Sequence, residues 1–425
     1  MVFRAERVRA AVDRPIDDAS FVFFRMAFGL ALTVLALRFF THGWIAVDYE
    51  TPKHFISFWG FSWVKPWPAP WMYVHYGVMA ASGLAIAAGR FYRPATVIAF
   101  VAFTYAHLCD VSNYLNHYYL VSLVTFLLMF LPRAPRRAWP LWLLRFQFGI
   151  VYVFGGIAKL GSDWLLHGEP LRIWLGANVE MPVLGRFFER PATALAFSWA
   201  GMLFDLSIVP LLLWRKTRGP AYAMALVFHG LTALLFHIGM FPWLMTIGAT
   251  LFFDPSWPRR FTKKPLQTGA AGARAPMALL GLYALLQVGI PLRHVFYPGN
   301  TLWTEEGFRY AWRIMLIEKS GTLELTVVDP QGKRSIVDPR TYLSPLQARL
   351  TATQPDMILQ TAHIVAADWN ARGLGPVQVF ADARVSWNGR PSAPLIASDV
   401  DLARVEDGLS PKSWILPAPQ TAPEF

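Results

Sequence analysis

The stretch "VYVFGGIAKLGSDWL", residues 151–165, closes an apolar run on an ammonium, Lys159. An amine in that position either snorkels to the headgroups or faces a packed seam, where the loss of water suits it to act as a neutral base. Gly155 and Gly156, one turn earlier, favour the seam, because small residues let a second helix or a ligand come close to the backbone. A base of that kind takes a proton from a phenol or a hydroquinone. Five more polar positions bear on the same chemistry. Asn116 and His117 fall in a short turn between apolar runs, and His237 falls at the end of another, so these three and Lys159 are expected at one outer level. Asp205 and His229 sit nearer the middles of their runs, where they are expected to pair with each other. Each is a functional candidate, since an ionisable group at membrane depth costs about 2.5–3.5 kcal/mol or more. More ordinary roles stand beside these: a helix cap for Asn116, a backbone hydrogen bond for His117, and a structural partner for Asp205. His229 and His237 are separated by about 12 Å at the helical rise, too far to share one ion, and no metal site is expected. The chain has no P-loop, dinucleotide fold, nucleophile elbow or zincin motif, so any chemistry must come from this Lys/His/Asn/Asp set and a lipophilic cofactor.

The elements that would position these residues follow from composition. Of 425 residues 55% are hydrophobic and 15% aromatic, which places the chain in a membrane rather than in water. Its net charge of +12 does not imply nucleic acid, because the Lys and Arg residues cluster in short loops beside apolar runs. A single cysteine, Cys109, excludes an intramolecular disulfide and suits a bacterial inner membrane. About nine apolar runs centre near Gly29, Gly83, Phe100, Thr125, Ile150, Gly201, Val227, Ile247 and Leu285, measured against the roughly 20 residues that span a bilayer. Basic residues alternate between loops, which sets the N-terminus inside and everything after about Pro291 outside. Loop 42–70 is rich in Trp, Phe and Pro, as expected of chain in the headgroup layer or of a lipid or quinone portal. After Arg293 the pattern changes: "LELTVVDPQGKRSIV" reads as a hairpin across Asp329 to Gly332, "PVQVFADARVSW" as a strand, and residues 345–372 carry helical spacing. The expected fold is therefore mainly α, a polytopic membrane helical bundle with a small external α+β appendage. Its parts are a basic cytoplasmic segment 1–19, a bundle 20–293 and an extracytoplasmic region 294–425.

These same residues resemble the vitamin K-dependent γ-glutamyl carboxylases and their bacterial relatives, whose membrane part is called the HTTM domain. The resemblance runs through "RPIDDASFVFFRMAFGL", "PAPWMYVHYGVM", "SNYLNHYYL", the opening stretch around Lys159, "LFDLSIVPLLL", "VFHGLTALLFHIGMFPWLM" and "PLRHVFYPGNTLWTEEGFRYAWRIM". It continues into "DARVSWNGRP" and "SPKSWILP", covering roughly residues 14–417. What it implies is a lipid-embedded enzyme that couples oxygenation of vitamin K hydroquinone or menaquinol to its epoxide, using O2, with addition of CO2 to a glutamate side chain of a peptide or protein. It also implies that Lys159 is the base and that His117, beside Asn116, assists carboxylation. His229, with Phe228, Asp205, Gly156 and Met240, would then lie about the hydroquinone. Phe308 and Gly307 stand where the animal enzymes carry Tyr and Leu, in a segment tied to glutamate handling. Thr232 and His237 replace an asparagine and a serine. The cysteines of the animal disulfide are absent, as is most of the long C-terminal region.

Overall fold

The computed structural model describes residues 2–236, 238–262, 265–266 and 272–423, with side chains from residue 6 onward. Nine helices occupy the nine apolar positions: α1 (Ala19–Thr41), α2 (Trp71–Ala88), α3 (Tyr92–Leu108), α4 (Asn116–Phe130), α5 (Ala138–Ala158), α6 (Pro191–Leu213), α7 (Arg218–Leu235), α8 (Phe241–Ala249) and α9 (Met277–Leu292). Only four stretches among the described residues are long and apolar enough to cross a membrane: Ala19–Thr41, Ala138–Ala158, Pro191–Leu213 and Met277–Phe296. Of the others, α2 and α7 have 18 residues but carry polar side chains, His75 in α2 and Arg218 and His229 in α7, whereas α3, α4 and α8 are shorter. Gly89, at φ +67°, caps α2, and Leu131 takes an extended conformation before Pro132 to end α4. Arg90 follows Gly89 and Arg133 follows Pro132, so the hydrophobic runs stop there as well.

The α1–α2 contact shows why small residues centre two of the runs. A Cβ on Gly29 would meet Ala87 N at 2.6 Å, and one on Gly83 would meet Gly29 O at 2.8 Å, so the two backbones touch. Thr33 Oγ1, 3.0 Å from Gly29 O and 3.2 Å from Ala80 O, hydrogen-bonds at this seam. Buried Arg25 donates to the carbonyls of Ile86 and Ala87 at the end of α2, where a cation suits the exposed C=O groups. Around this pair Phe24, Phe28 and Phe148 fill one continuous bundle core.

The C-terminal region builds a second core on a four-stranded antiparallel sheet of order β2-β1-β3-β4: β1 (Lys319–Val328), β2 (Arg334–Val337), β3 (Gln378–Trp387) and β4 (Ala393–Pro394). The β1–β2 turn closes through Gly332 N to Asp329 O at 2.9 Å, with Gly332 at φ +80°. The helical stretch before β3 is two helices, α10 (Pro345–Thr351) and α11 (Pro355–Ala371), because Pro355 has no N–H to continue the ladder and restricts the residue before it. Alternate residues of β3, from Val379 to Trp387, are buried with Met357, Ala362 and Val365 of α11. Loop residues of the bundle enter this core, including Ile56, Phe58 and Val111. Asp163, just beyond α5, binds Arg390 through two hydrogen bonds of 2.8 and 2.6 Å and accepts a third from Asn388 at 3.0 Å. Bundle and appendage are thus fastened beside the end of the lysine helix.

Candidate functional site

Lys159 is the C-cap of α5 and is 5% exposed. Side chains on a helix lean toward its N-terminus, so the amine lies deeper than its Cα and donates to Gly155 O at 3.2 Å. It also donates to Asp205 Oδ2 of α6 at 2.8 Å. The indole of Trp164 lies 5.2 Å from Nζ, a cation–π contact that the Trp164 hydrogen bond to Ser198 O holds in place. Gly156 brings the two helices together: its Cβ would stand 2.7 Å from the Leu206 side chain and 3.1 Å from Leu206 N, next in sequence to Asp205. Its role is helix packing, and it is not among the cavity-lining residues.

Asp205 therefore pairs with Lys159 rather than with His229, a correction to the sequence expectation. His229 pairs with Tyr152 instead, Nε2 to hydroxyl at 2.7 Å. Tyr152 stands seven residues before Lys159 on the same face of α5, a spacing that marks it as a neighbour of the site although sequence reasoning passed over it.

Tyr152, Lys159, Asp205, Phe228, His229 and Phe241 line one inner cavity of about 660 Å³, its mouth included. Its walls are largely aromatic and aliphatic, with Phe228 stacked on Phe204 at 3.9 Å and 18°. His229 Nδ1 is buried and has no hydrogen-bond partner among the described residues. Apolar walls, a flat aromatic face, an unpartnered ring nitrogen and an amine fit a bicyclic quinol, which has a planar ring and two hydroxyls to bind.

Asn116, His117 and Met240 line a second cavity of about 1630 Å³, open at its mouth, with Arg38 in its wall. It shares Phe236, Ile238, Phe241, Ile314 and Met315 with the first, so the two lie side by side. Asn116 does not cap α4, whose N-cap is Leu115. It accepts from Tyr114 Oη at 3.1 Å and donates to Arg313 O at 3.5 Å. His117 is buried, its ring in edge contact with Tyr118 at 4.7 Å. His237 lies outside the described residues.

The wall shared by the two cavities depends on segment 305–315, where Glu305, Gly307, Tyr310, Trp312 and Met315 all have positive φ. Such backbone costs about 1–3 kcal/mol at each non-glycine residue and persists only where surroundings impose it. Here Tyr310 N donates to Tyr114 Oη at 2.7 Å, and Trp312, fully buried, stacks on Tyr119 at 4.9 Å. Ile314 and Met315 follow directly into both cavities. No periodicity signals this segment's conformation in the sequence.

The helical part of this architecture, residues 13–257, matches the HTTM domain model. Residues 273–421 match the lumenal domain of the vitamin K-dependent gamma-carboxylases, and the chain belongs to the gamma-carboxylase family with an HTTM domain. No solved structure matches it.

Proposed function

We propose that the protein is a membrane-embedded vitamin K-dependent γ-glutamyl carboxylase-like enzyme, with Lys159 as its base. The observation that carries this reading is a lysine buried against a carboxylate in the wall of an apolar cavity, Nζ to Oδ2 at 2.8 Å. Lys159 Nζ passes its proton to Asp205 Oδ2, 2.8 Å away, and as the neutral amine accepts the proton of a quinol hydroxyl. His229 and Phe228 hold the ring, the imidazole by hydrogen bonding and the phenyl by stacking. Vitamin K hydroquinone or menaquinol, when bound and supplied with O2, provides the strong basicity needed to remove a γ-proton of glutamate, after which CO2 adds at that carbon. His117 and Asn116, in the adjoining cavity beside Met240, serve the carboxylation half. The apolar walls of the inner cavity keep water from the base.

The same reading sets the chain in a bacterial inner membrane as a nine-span protein with its N-terminus inside. It divides into a cytoplasmic segment 1–19, a bundle 20–293 and an extracytoplasmic region 294–425. The test is turnover by the purified protein of vitamin K hydroquinone with a short Glu peptide and labelled bicarbonate, following epoxide and fixed label separately. Both products together are expected. Epoxide without label would point to a quinol-oxidising enzyme that does not carboxylate glutamate, and neither product from folded protein would point to quinone or lipid binding or to transport.

A further inference from the structure

A third opening, about 1720 Å³ with its mouth, runs between the outer face of the bundle and the appendage. Its inner end is formed by Asn116 and Met315, which also line the cavity of His117, so it leads into the site. One wall is the start of β1, Lys319 to Gly321, and another is α10 with Leu346, Arg349 and Leu350.

That part of β1 has a strand on one side only. Pairing with β3 runs from Lys319 to Val328, whereas pairing with β2 covers only Leu325 to Val328. Ser320, Gly321 and Thr322 are exposed. In this half strand every second residue turns its N–H and C=O away from β3, a ready template for another extended chain. The charge along the groove is specific. Lys319 is paired with Glu305 at 2.8 Å, Arg309 is paired with Asp356, and Glu318 accepts from Trp174 Nε1 at 2.6 Å. Arg313 and Arg349 have no carboxylate within ion-pair distance among the described residues, and Arg313 Nε is buried without a hydrogen-bond partner. Glu318 leaves one carboxylate in the same groove, held among the described residues only by the Trp174 hydrogen bond, so the two guanidiniums exceed it by one and suit an acidic extended peptide, since arginine grips carboxylates bidentately.

We propose that this groove binds the acidic peptide substrate, which adds as a strand to the open half of β1 and presents carboxylates to Arg313 and Arg349 on its way to Asn116. The proposal rests on the carboxylase reading only for the destination of the glutamate.

The test uses full-length protein in detergent and a fluorescein-labelled peptide of about nine residues with glutamate at every second position, matching the side-chain alternation of a strand. Binding is followed by anisotropy. N-methylation of one alternate set of peptide amides is expected to weaken binding about threefold to tenfold per blocked donor, while methylation of the other set leaves it nearly unchanged. Arg349→Glu, at an exposed position, and Arg313→Gln are each expected to weaken binding about tenfold or more. Equal sensitivity to both methylated sets, unchanged binding by both variants, or equal binding of the matching glutamine peptide would overturn the proposal. Failure of the two readings is separable. Binding with this pattern by a protein that fixes no CO2 removes the carboxylase reading and keeps the groove, whereas carboxylation of the peptide with unaltered affinity in both variants removes the groove.

Discussion

Lys159 and Asp205 stand 46 residues apart on adjacent helices and meet at 2.8 Å, with side chains only 6% and 11% exposed. A buried pair of this kind is strongly destabilised by removal of one partner, because the other charge is left without compensation. Asp205→Ala is expected to cost about 3–5 kcal/mol of stability, and replacing both residues by apolar side chains much less. Thermal unfolding of the single and double variants in detergent measures the difference. A double variant as unstable as the sum of the two singles would show that the pair is not coupled.

His229 is expected to act on quinol binding rather than on proton removal. Loss of one hydrogen bond costs about 0.5–1.5 kcal/mol, so His229→Leu should raise the quinol KM about twofold to tenfold with little effect on kcat. Tyr152→Phe removes the hydroxyl 2.7 Å from Nε2 and should have a smaller effect in the same direction. A fall in kcat at constant KM in steady-state epoxidation would instead give His229 a role in the chemical step.

Gly156 is expected to tolerate no side chain. A methyl group would lie 2.7 Å from Leu206 Cδ2 and 3.1 Å from its backbone nitrogen, so Gly156→Ala should destabilise by about 1–3 kcal/mol. Leu206→Ala in the same chain should restore only part of this, since the backbone contact remains. Unfolding temperatures of the three variants decide it, and an undiminished temperature for Gly156→Ala would mean that α5 and α6 are less closely packed than described.

A pH dependence follows from Asp48, in the turn after α1. Burial, assisted by the charge of Asp110, raises its carboxyl from 3.8 to about 6. Between those values the folded protein holds more protons than the unfolded chain, so this group's contribution to stability falls as pH rises through that window. Asp48→Asn should therefore be more stable than the parent above pH ~6 and converge with it near pH ~4. Parallel stability curves for the two proteins across that range would contradict the assignment.

Much of the helical layout is legible in the sequence, since hydrophobic runs centred on Gly29 and Gly83 mark where two backbones touch. The hairpin at Asp329 to Gly332 is legible for a similar reason, because the turn chemistry is local. Helix length is less so at α8, where the apolar run continues through Leu251 and Phe252 while the helix gives way to a 3-10 turn. Lys159 is conspicuous as a charge after an apolar run, yet its partner is hidden. Reading Lys159 at the level of its Cα places it at the outer surface, whereas the backward lean of helical side chains takes Nζ down to Gly155 and Asp205. The shared cavity wall at Ile314 and Met315 depends on left-handed backbone at Tyr310 and Trp312, which bulky residues adopt only under tertiary constraint.

The most direct test of the account is Lys159→Ala, assayed for epoxide and for label fixed in a Glu peptide, beside the parent protein at matched folding. Loss of a positioned base typically costs about 10²–10⁴ in rate, so both products should fall together by that factor. A folded Lys159→Ala protein that forms either product at the parental rate would contradict the assignment of Lys159 as the base.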